Sequence, residues 1–396
     1  MDLNFTPEEE AFRQEVVEWF DKNLPPREER PRAGGLGAET AAEFEKARLW
    51  HRKLYEGGWI GMSWPQQYGG RQATLIQQVI FQQEAARLGA HPGVNIIGIG
   101  MIGPTIMQWG TEAQRQRYLQ PMLAGEEIWA QGFSEPGAGS DVASLQCAAV
   151  RDGDDYIVNG QKVWTTGAQW SRWIELLVRT DPTRPKHEGI SCLIVDMQSP
   201  GITVRPLKQI TGDASFNEVF FDNVRVPRAN LLGPENDGWK VAITTLMHER
   251  VAIGGLGVGE GSLEQLVDLA RRVRRHGKSA AEDSAVRQQI AQFAIEVKAA
   301  RYSALRRLTR QLRGESPGPE GSAGKLTLTE LQLKMSRFAY ELLGPYAALI
   351  ETSPHRLGRG QWATRVMEAR GMSIAGGTTE IQKNILAVRA LRLPRH

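Results

Sequence analysis

Hydrophobic spacing in this 396-residue chain changes period twice, and a chain that does so must segregate helices from strands. Over the first 125 residues, apolar side chains recur at helical intervals. Thr6 is placed to cap a helix and Pro7 suits its first position. Glu8, Glu9 and Glu10 oppose the positive end of the helix dipole, and Phe12, Val16, Val17 and Phe20 share a face. A second helix is expected over 40–56, broken by "GGWIGMSWPQQYGG", with others in "TLIQQVIFQQEAARLGA" and in "TEAQRQRYLQPMLAG", where Thr111 caps. From about 126 to 235 the segments become short and rich in Val, Ile and aromatics: "QCAAV", "DYIVNGQKVW", "WIELLVRT", "GISCLIVDM", "GITVRPL" and "NEVFFDNVRVP", separated by Asp-Gly, Asn-Gly and Pro-Gly turns. Helical spacing returns from Gly238, over 239–253, 261–276, 283–313 and 325–350, with a final segment near 380–390. The stretch "GESPGPEGSAG" at 314–324 reads as a flexible connection. The expected class is α+β, with helices at 1–125, a β-domain at 126–235 and a helical bundle at 236–396.

Composition narrows the functions open to such a chain. Hydrophobic residues make up 41% and charged residues 23%, the balance of a globular protein with a sizeable core. No apolar run approaches the roughly 18 residues of a membrane span. The acidic start "MDLNFTPEEEAFRQEVVEWF" lacks the features of a leader, so residence in a bacterial cytoplasm is the expectation. The net charge of +3 and the lack of basic blocks interleaved with aromatics argue against a nucleic-acid groove. The basic run "ARRVRRHGK" at 270–278 reads as a solvated helix face, with an anion contact as the alternative. Cys147 and Cys192 fall in apparent strands, far from any C-x-x-C spacing, and are expected as buried thiols without metal or disulfide.

Three stretches carry chemistry. "GFSEPGAGSDVAS" at 132–144 is a Gly/Pro/Ser loop leading into the β-domain, where bare backbone allows close approach of N–H groups to a flat or anionic ligand. "GQKVWTTGA" at 160–168 sets Trp164 beside Thr165 and Thr166, an indole next to hydroxyls, suited to covering a ring system while bonding its heteroatoms. The third is "SIAGGTTEIQ" at 373–382.

Together with "FTPEEEAFRQEV", "GWIGMSWPQQYGG" and "FFDNVRVPRANLLG", these stretches resemble the acyl-CoA dehydrogenase family over nearly the whole chain. The resemblance implies an all-helical N-terminal domain, a central β-barrel-like domain, a C-terminal four-helix bundle and bound FAD. By motif position, Phe133, Ser134, Gly139 and Ser140 would line the flavin and thioester, and Trp164, Thr165 and Thr166 the N5 side. Gly377, Thr378 and Glu380 would contact the cofactor near the C-terminus. The implied chemistry is removal of hydrogens from Cα and Cβ of an acyl-CoA thioester, with hydride going to flavin N5. An electron-transfer flavoprotein is the expected acceptor.

The position where many relatives carry a glutamate base holds Gly376. A replacement is offered by "VAITTLMHERVAIGGLG", in which Ala242, Leu246, Glu249, Ile253 and Leu256 fall on one helical face. A carboxylate interrupting an apolar stripe is disfavoured when ionised, which suits a general base. Gly254, Gly255, Gly257 and Gly259 would let another group approach that helix closely. Members resembling isovaleryl-CoA and long-chain enzymes place the base here, just before an arginine, and "HER" matches at Glu249 and Arg250. Glu249 is therefore expected as base, with Ser140, Met247 and Arg250 contacting substrate.

The pattern departs from the family where a neighbouring subunit's FAD is usually held. The expected Arg-x-x-Phe-Gly reads Val273 and His276-Gly277, flanked by Arg272, Arg274 and Arg275; an expected Gln is Ser284; and Glu341 and Pro345 replace Gln and Gly further on. A homotetramer using other arginines, or a heterotetramer completed by a paralogous chain, would account for this. An acyl-CoA oxidase-like flavoenzyme and a non-catalytic subunit are the rival functions.

Overall fold

The computed structural model describes the chain apart from residues 1–4, 27–28, 31–37, 39, 254–258, 276, 316–317, 350–352, 358–360 and 395–396. It divides into two compact units, Met1–Glu249 and Arg250–His396.

The first unit opens with α1 (Pro7–Asn23), α2 (Ala41–Glu56), α3 (Leu75–Leu88), α4 (Gly103–Trp109) and α5 (Glu112–Ala124). Thr6 and Thr111 cap as the sequence indicates, each in a reciprocal capping box, with Glu9 and Gln114 respectively. Phe12, Val16 and Phe20 of α1 are buried. They pack with Trp50, Trp59 and Trp64 in a core that continues into the sheet.

Seven strands follow: β1 (Trp129–Gly132), β2 (Ala148–Asp152), β3 (Asp155–Thr166), β4 (Trp173–Arg179), β5 (Ile190–Asp196), β6 (Ile202–Leu207) and β7 (Phe216–Pro227). They form one sheet in the order β1-β4-β2-β3-β7-β6, with β5 alongside β4. The runs WIELLVR and ISCLIVD are buried at every position but the last, because helices cover the outer face of β4 and β5. An unbroken apolar run rather than an alternating one is the consequence of covering both faces. The exception in sequence is Glu175, fully buried in the middle of β4. Strand β1 was not legible in the sequence, its four residues being too few to show a period.

Helix α6 (Gly238–Ile253) leaves the sheet and returns to the N-terminal helices. Val241, Ala242, Thr244 and Thr245 are buried along it, Trp109 Nε1 donates to Thr244 Oγ1 at 2.9 Å, and Thr105 and Thr245 share a hydrogen bond of 2.9 Å.

The second unit contains α7 (Glu260–Arg272), a hairpin of β8 (Arg274–Arg275) and β9 (Lys278–Ser279), α8 (Ser284–Leu312), α9 (Glu320–Leu343), α10 (Gln361–Ile374) and α11 (Thr379–Ile385). Three expectations are corrected here. The helix expected to reach 276 ends at Arg272, because Val273 turns extended and sinks into the core. The basic run is therefore half helix and half hairpin; its described basic residues are exposed, while Ala270 and Val273 are buried. The connection expected over 314–324 is shorter, since α9 begins at Glu320 and runs to Leu343 rather than over 325–350. Gly321 and Gly324 are helical residues, and Gly324 admits the Arg307 guanidinium so closely that a Cβ would lie 2.9 Å from it. Helix α10 was not anticipated. Its buried residues, Trp362 and Ala369, are too sparse to mark a stripe.

Candidate active site

The loop at 132–144 is fixed to the sheet by groups that water does not reach. Lys162, fully buried on β3, donates from Nζ to Glu135 Oε1 at 2.7 Å and to the Phe133 carbonyl at 3.2 Å. Glu135 also accepts from the backbone N–H of Gln146 (2.6 Å) and Cys147 (2.9 Å). Val163 N donates to Ser134 O at 2.9 Å, and paired backbone bonds between Glu135 and Ala138 close a tight turn. Burial lowers the pKa of Lys162, and the neighbouring Glu135 charge opposes that shift. A desolvated charge pair with its remaining lone pairs met by backbone amides gives a rigid platform. On it, Phe133 is buried, Ser134 is half-buried, and Gly139 and Ser140 face outward; a Cβ on Gly137 or Gly139 would meet nothing within 4 Å.

Beside this loop the β3–β7 ladder slips register between Lys162 and Thr165, and Trp164 sits in the slip with φ of +60°. A tryptophan in the left-handed region is strained, and this one is also 60% exposed, touching Phe216 edge-on at 5.9 Å. Thr165, one residue on, is buried, and its Oγ1 finds no hydrogen-bond partner among the described residues. Thr166 is half-buried. An outward indole, an orphaned hydroxyl beside it and an open glycine loop one strand away suit a flat heteroaromatic ligand.

Helix α6 presents Glu249 half-buried near its C-terminal end, with Met247 47% exposed and His248 lowered in pKa by burial. The stripe read from the sequence is wetter than expected: Ala242 is buried, whereas Leu246 and Glu249 lie at the edge of the buried face. The Arg250 and Ile253 side chains, and Gly254, Gly255, Leu256 and Gly257, lie outside the described residues, as does His276; Gly259 is buried.

In the second unit, the C-terminal turn is shaped by backbone. Gly376 and Gly377 have φ of +64° and +96°, and a Cβ on Gly377 would lie 2.7 Å from Gln382 Nε2. That amide donates to the carbonyls of Gly376 (2.7 Å) and Gly377 (3.2 Å), and buried Lys325 donates to those of Ser373 (3.0 Å) and Gly377 (2.8 Å). Thr378 spends its Oγ1 as the cap of α11, accepting from Ile381 N at 3.2 Å. Glu380, exposed in the first turn, has its pKa lowered by hydrogen bonds from its own backbone N–H and from Thr378. Sequence reasoning missed Glu135, Lys162, Lys325 and Gln382. For Lys162 a signal existed: it falls in step with inward Tyr156 and Val158 on β3. Cys147 and Cys192 are buried thiols as expected, and no cluster able to hold a metal occurs among the described residues. No described helix is long and apolar enough to cross a membrane.

Helices, one seven-stranded sheet and helices again, with a Gly/Ser loop locked against that sheet, define an α+β enzyme architecture. Family models for the N-terminal, middle and C-terminal domains of acyl-CoA dehydrogenase match residues 6–126, 130–224 and 236–391. Acyl-CoA dehydrogenase IpdE1 of Mycobacterium tuberculosis is 37% identical over 390 residues, covering 98% of each chain. A chain in the crystal structure of the ChsE4-ChsE5 complex from Mycobacterium tuberculosis is 34% identical, with a TM-score of 0.86 and 100% of each chain covered. One in the Tcur3481-Tcur3483 steroid ACAD is 31% identical, with a TM-score of 0.87 over 100% of each chain. The chain belongs to the acyl-CoA dehydrogenase family. It is an oxidoreductase acting on acyl-CoA, and members of its family are FAD-dependent flavoproteins.

Proposed function

We propose that this enzyme converts an acyl-CoA thioester to the trans-2-enoyl-CoA with Glu249 as the base. Bound FAD supplies the hydride acceptor at N5. The observation that carries the reading is that one chain has a side-chain-free, left-handed Gly376 where many relatives carry the acid and, separately, a half-buried carboxylate, Glu249, on α6. Half-burial lets a carboxylate meet a hydrophobic acyl chain while keeping access to a proton outlet. Ser140, Met247 and Arg250 are assigned to the thioester and acyl chain; Phe133, Ser134, Gly139, Ser140, Trp164, Thr165 and Thr166 to the flavin. Gly377, Thr378 and Glu380 are assigned to FAD by motif position alone. Domain limits at 125/126 and 235/236 accompany this reading. Anaerobic mixing of the FAD-loaded enzyme with acyl-CoAs tests it: Glu249→Gln should slow flavin bleaching roughly 10²–10⁴-fold, and an unchanged rate would remove Glu249 from the chemistry.

The substrate class we favour is a steroid-derived acyl-CoA, in a heterotetramer with a paralogous chain and with an electron-transfer flavoprotein as acceptor, in a bacterial cytoplasm. Support comes from the two relatives whose structures are two-component assemblies, one of them a steroid ACAD. It comes also from Val273, buried where the family's FAD-reaching arginine would stand, with Arg272 paired to Asp268 and Arg275 to Asp283. Flavin content of the chain purified alone and with candidate partners is the test; full occupancy in a homotetramer contradicts the paired assembly.

A further inference from the structure

Glu175 has no part in the chemistry described so far, yet it is fully buried in β4. Its Oε1 lies 2.8 Å from Thr245 Oγ1 and 3.8 Å from Cys192 Sγ, while Oε2 meets no hydrogen-bond partner among the described residues. Its registered neighbour on β1, Gln131, likewise has a buried Nε2 without a partner. An ionised carboxylate offers about four acceptor sites, so one hydroxyl and one weak thiol leave it badly under-satisfied.

Hydrogen bookkeeping points the same way. Thr105 Oγ1 lies 2.9 Å from the Met101 carbonyl and 2.9 Å from Thr245 Oγ1. Thr245 Oγ1 also lies 3.3 Å from the Val241 carbonyl. A hydroxyl has one proton and a carbonyl can only accept, so the Thr105 and Thr245 hydroxyls bring two protons to four contacts: Met101 O, Val241 O, the Thr105–Thr245 pair and Glu175. With Thr105 donating to Met101 and Thr245 to Val241 or Thr105, the 2.8 Å contact with Glu175 is satisfied only if Glu175 supplies the hydrogen. Ionisation would turn the Thr245 proton toward the carboxylate and away from both Thr105 and the Val241 carbonyl.

We infer that Glu175 is a positioning residue: in its neutral form it donates to Thr245 and fixes the turn of α6 that leads to Glu249. The inference rests on the reading of Glu249 as base, which lies four residues, one helical turn, beyond Thr245. Burial supports it by pushing the Glu175 carboxyl up to about 7. The titratable group facing it from β5 is Cys192, whose thiol burial raises well above its ordinary value and which therefore stays neutral. β1 presents Gln131, α4 Thr105 and α6 Thr245; His248, further along α6, is shifted by burial alone.

The test uses the full chain with bound FAD, its Glu175→Gln and Thr245→Val variants, and two readouts. Infrared difference spectra between pH 5 and 8.5 should show a carboxylic-acid C=O band titrating near pH 7, absent from Glu175→Gln. Flavin reduction by acyl-CoA should fall as pH rises through 7 in the parent, while Glu175→Gln stays within roughly threefold of its neutral-pH rate up to pH 8.5. Thr245→Val should lower that rate roughly tenfold with KM little changed. A band missing from the parent, a band surviving in Glu175→Gln, or a high-pH decline persisting in Glu175→Gln would each overturn the inference. If Glu249→Gln proves fully active, the base assignment fails on its own, and the infrared arm still reports whether Glu175 is neutral.

Discussion

Glu135 Oε1 and Lys162 Nζ lie 2.7 Å apart beneath the Gly/Ser loop, with both side chains withdrawn from water. Removing one partner strands the other charge in the core. Lys162→Met should therefore cost about 3–5 kcal/mol in urea-induced unfolding, and should lower flavin retention by freeing the Phe133 carbonyl and its neighbour Ser134.

Trp164 gives a prediction of opposite sign for stability and binding. Its left-handed backbone stores roughly 1–3 kcal/mol of strain, and its outward indole contributes little packing to offset that. Trp164→Gly should leave the cofactor-free protein as stable as the parent or more so, by thermal unfolding, while lowering FAD occupancy.

At the C-terminal turn, Gly376→Ala should cost roughly 1–2 kcal/mol for its left-handed φ alone. Gly377→Ala should cost more, because its methyl group also collides with the Gln382 amide. Comparing the two melting temperatures isolates the steric part.

Two buried groups give stability opposite pH dependences. His51 Nε2 donates to Leu123 O (3.0 Å) and its Nδ1 accepts from Val94 N (3.2 Å), and burial pushes its pKa down to about 4. With the native value depressed, the unfolded chain takes up the proton first, so stability is lost as pH falls from 6.5 toward 4, by about 3 kcal/mol. His91, also near 4, adds to this limb, so the His51 share is the difference between the parent and His51→Gln. Glu175 runs the other way: its raised value makes the native state hold a proton that the unfolded state releases, so stability falls as pH rises from 4.5 through about 7. Glu175→Gln should remove that decline in pH-dependent urea unfolding.

The fold was legible in the sequence wherever a segment was long enough to display a period or carried its own cap. Thr6 and Thr111 cap as read, and the six strand segments quoted from 146–227 correspond to β2 through β7. Legibility failed where tertiary packing overrode local signals. Gly321 and Gly324 look like loop residues, yet both lie in α9, and at Gly324 the Arg307 guanidinium occupies the space a side chain would fill. The candidate site was legible through its loop motifs. The groups that hold those motifs in place were not, because Lys162, Lys325 and Glu175 are charged residues in ordinary-looking strands and helices, and only burial gives them meaning.

Lys325 and Gln382 grip the 373–377 turn through the main-chain oxygens of Ser373, Gly376 and Gly377. Its curvature is thus set by backbone contacts and by the left-handed Gly376 and Gly377. The loop therefore keeps its shape with no acid at 376, and a carboxylate carried by a different element can do the work of a base while this stretch of scaffold stays as it is.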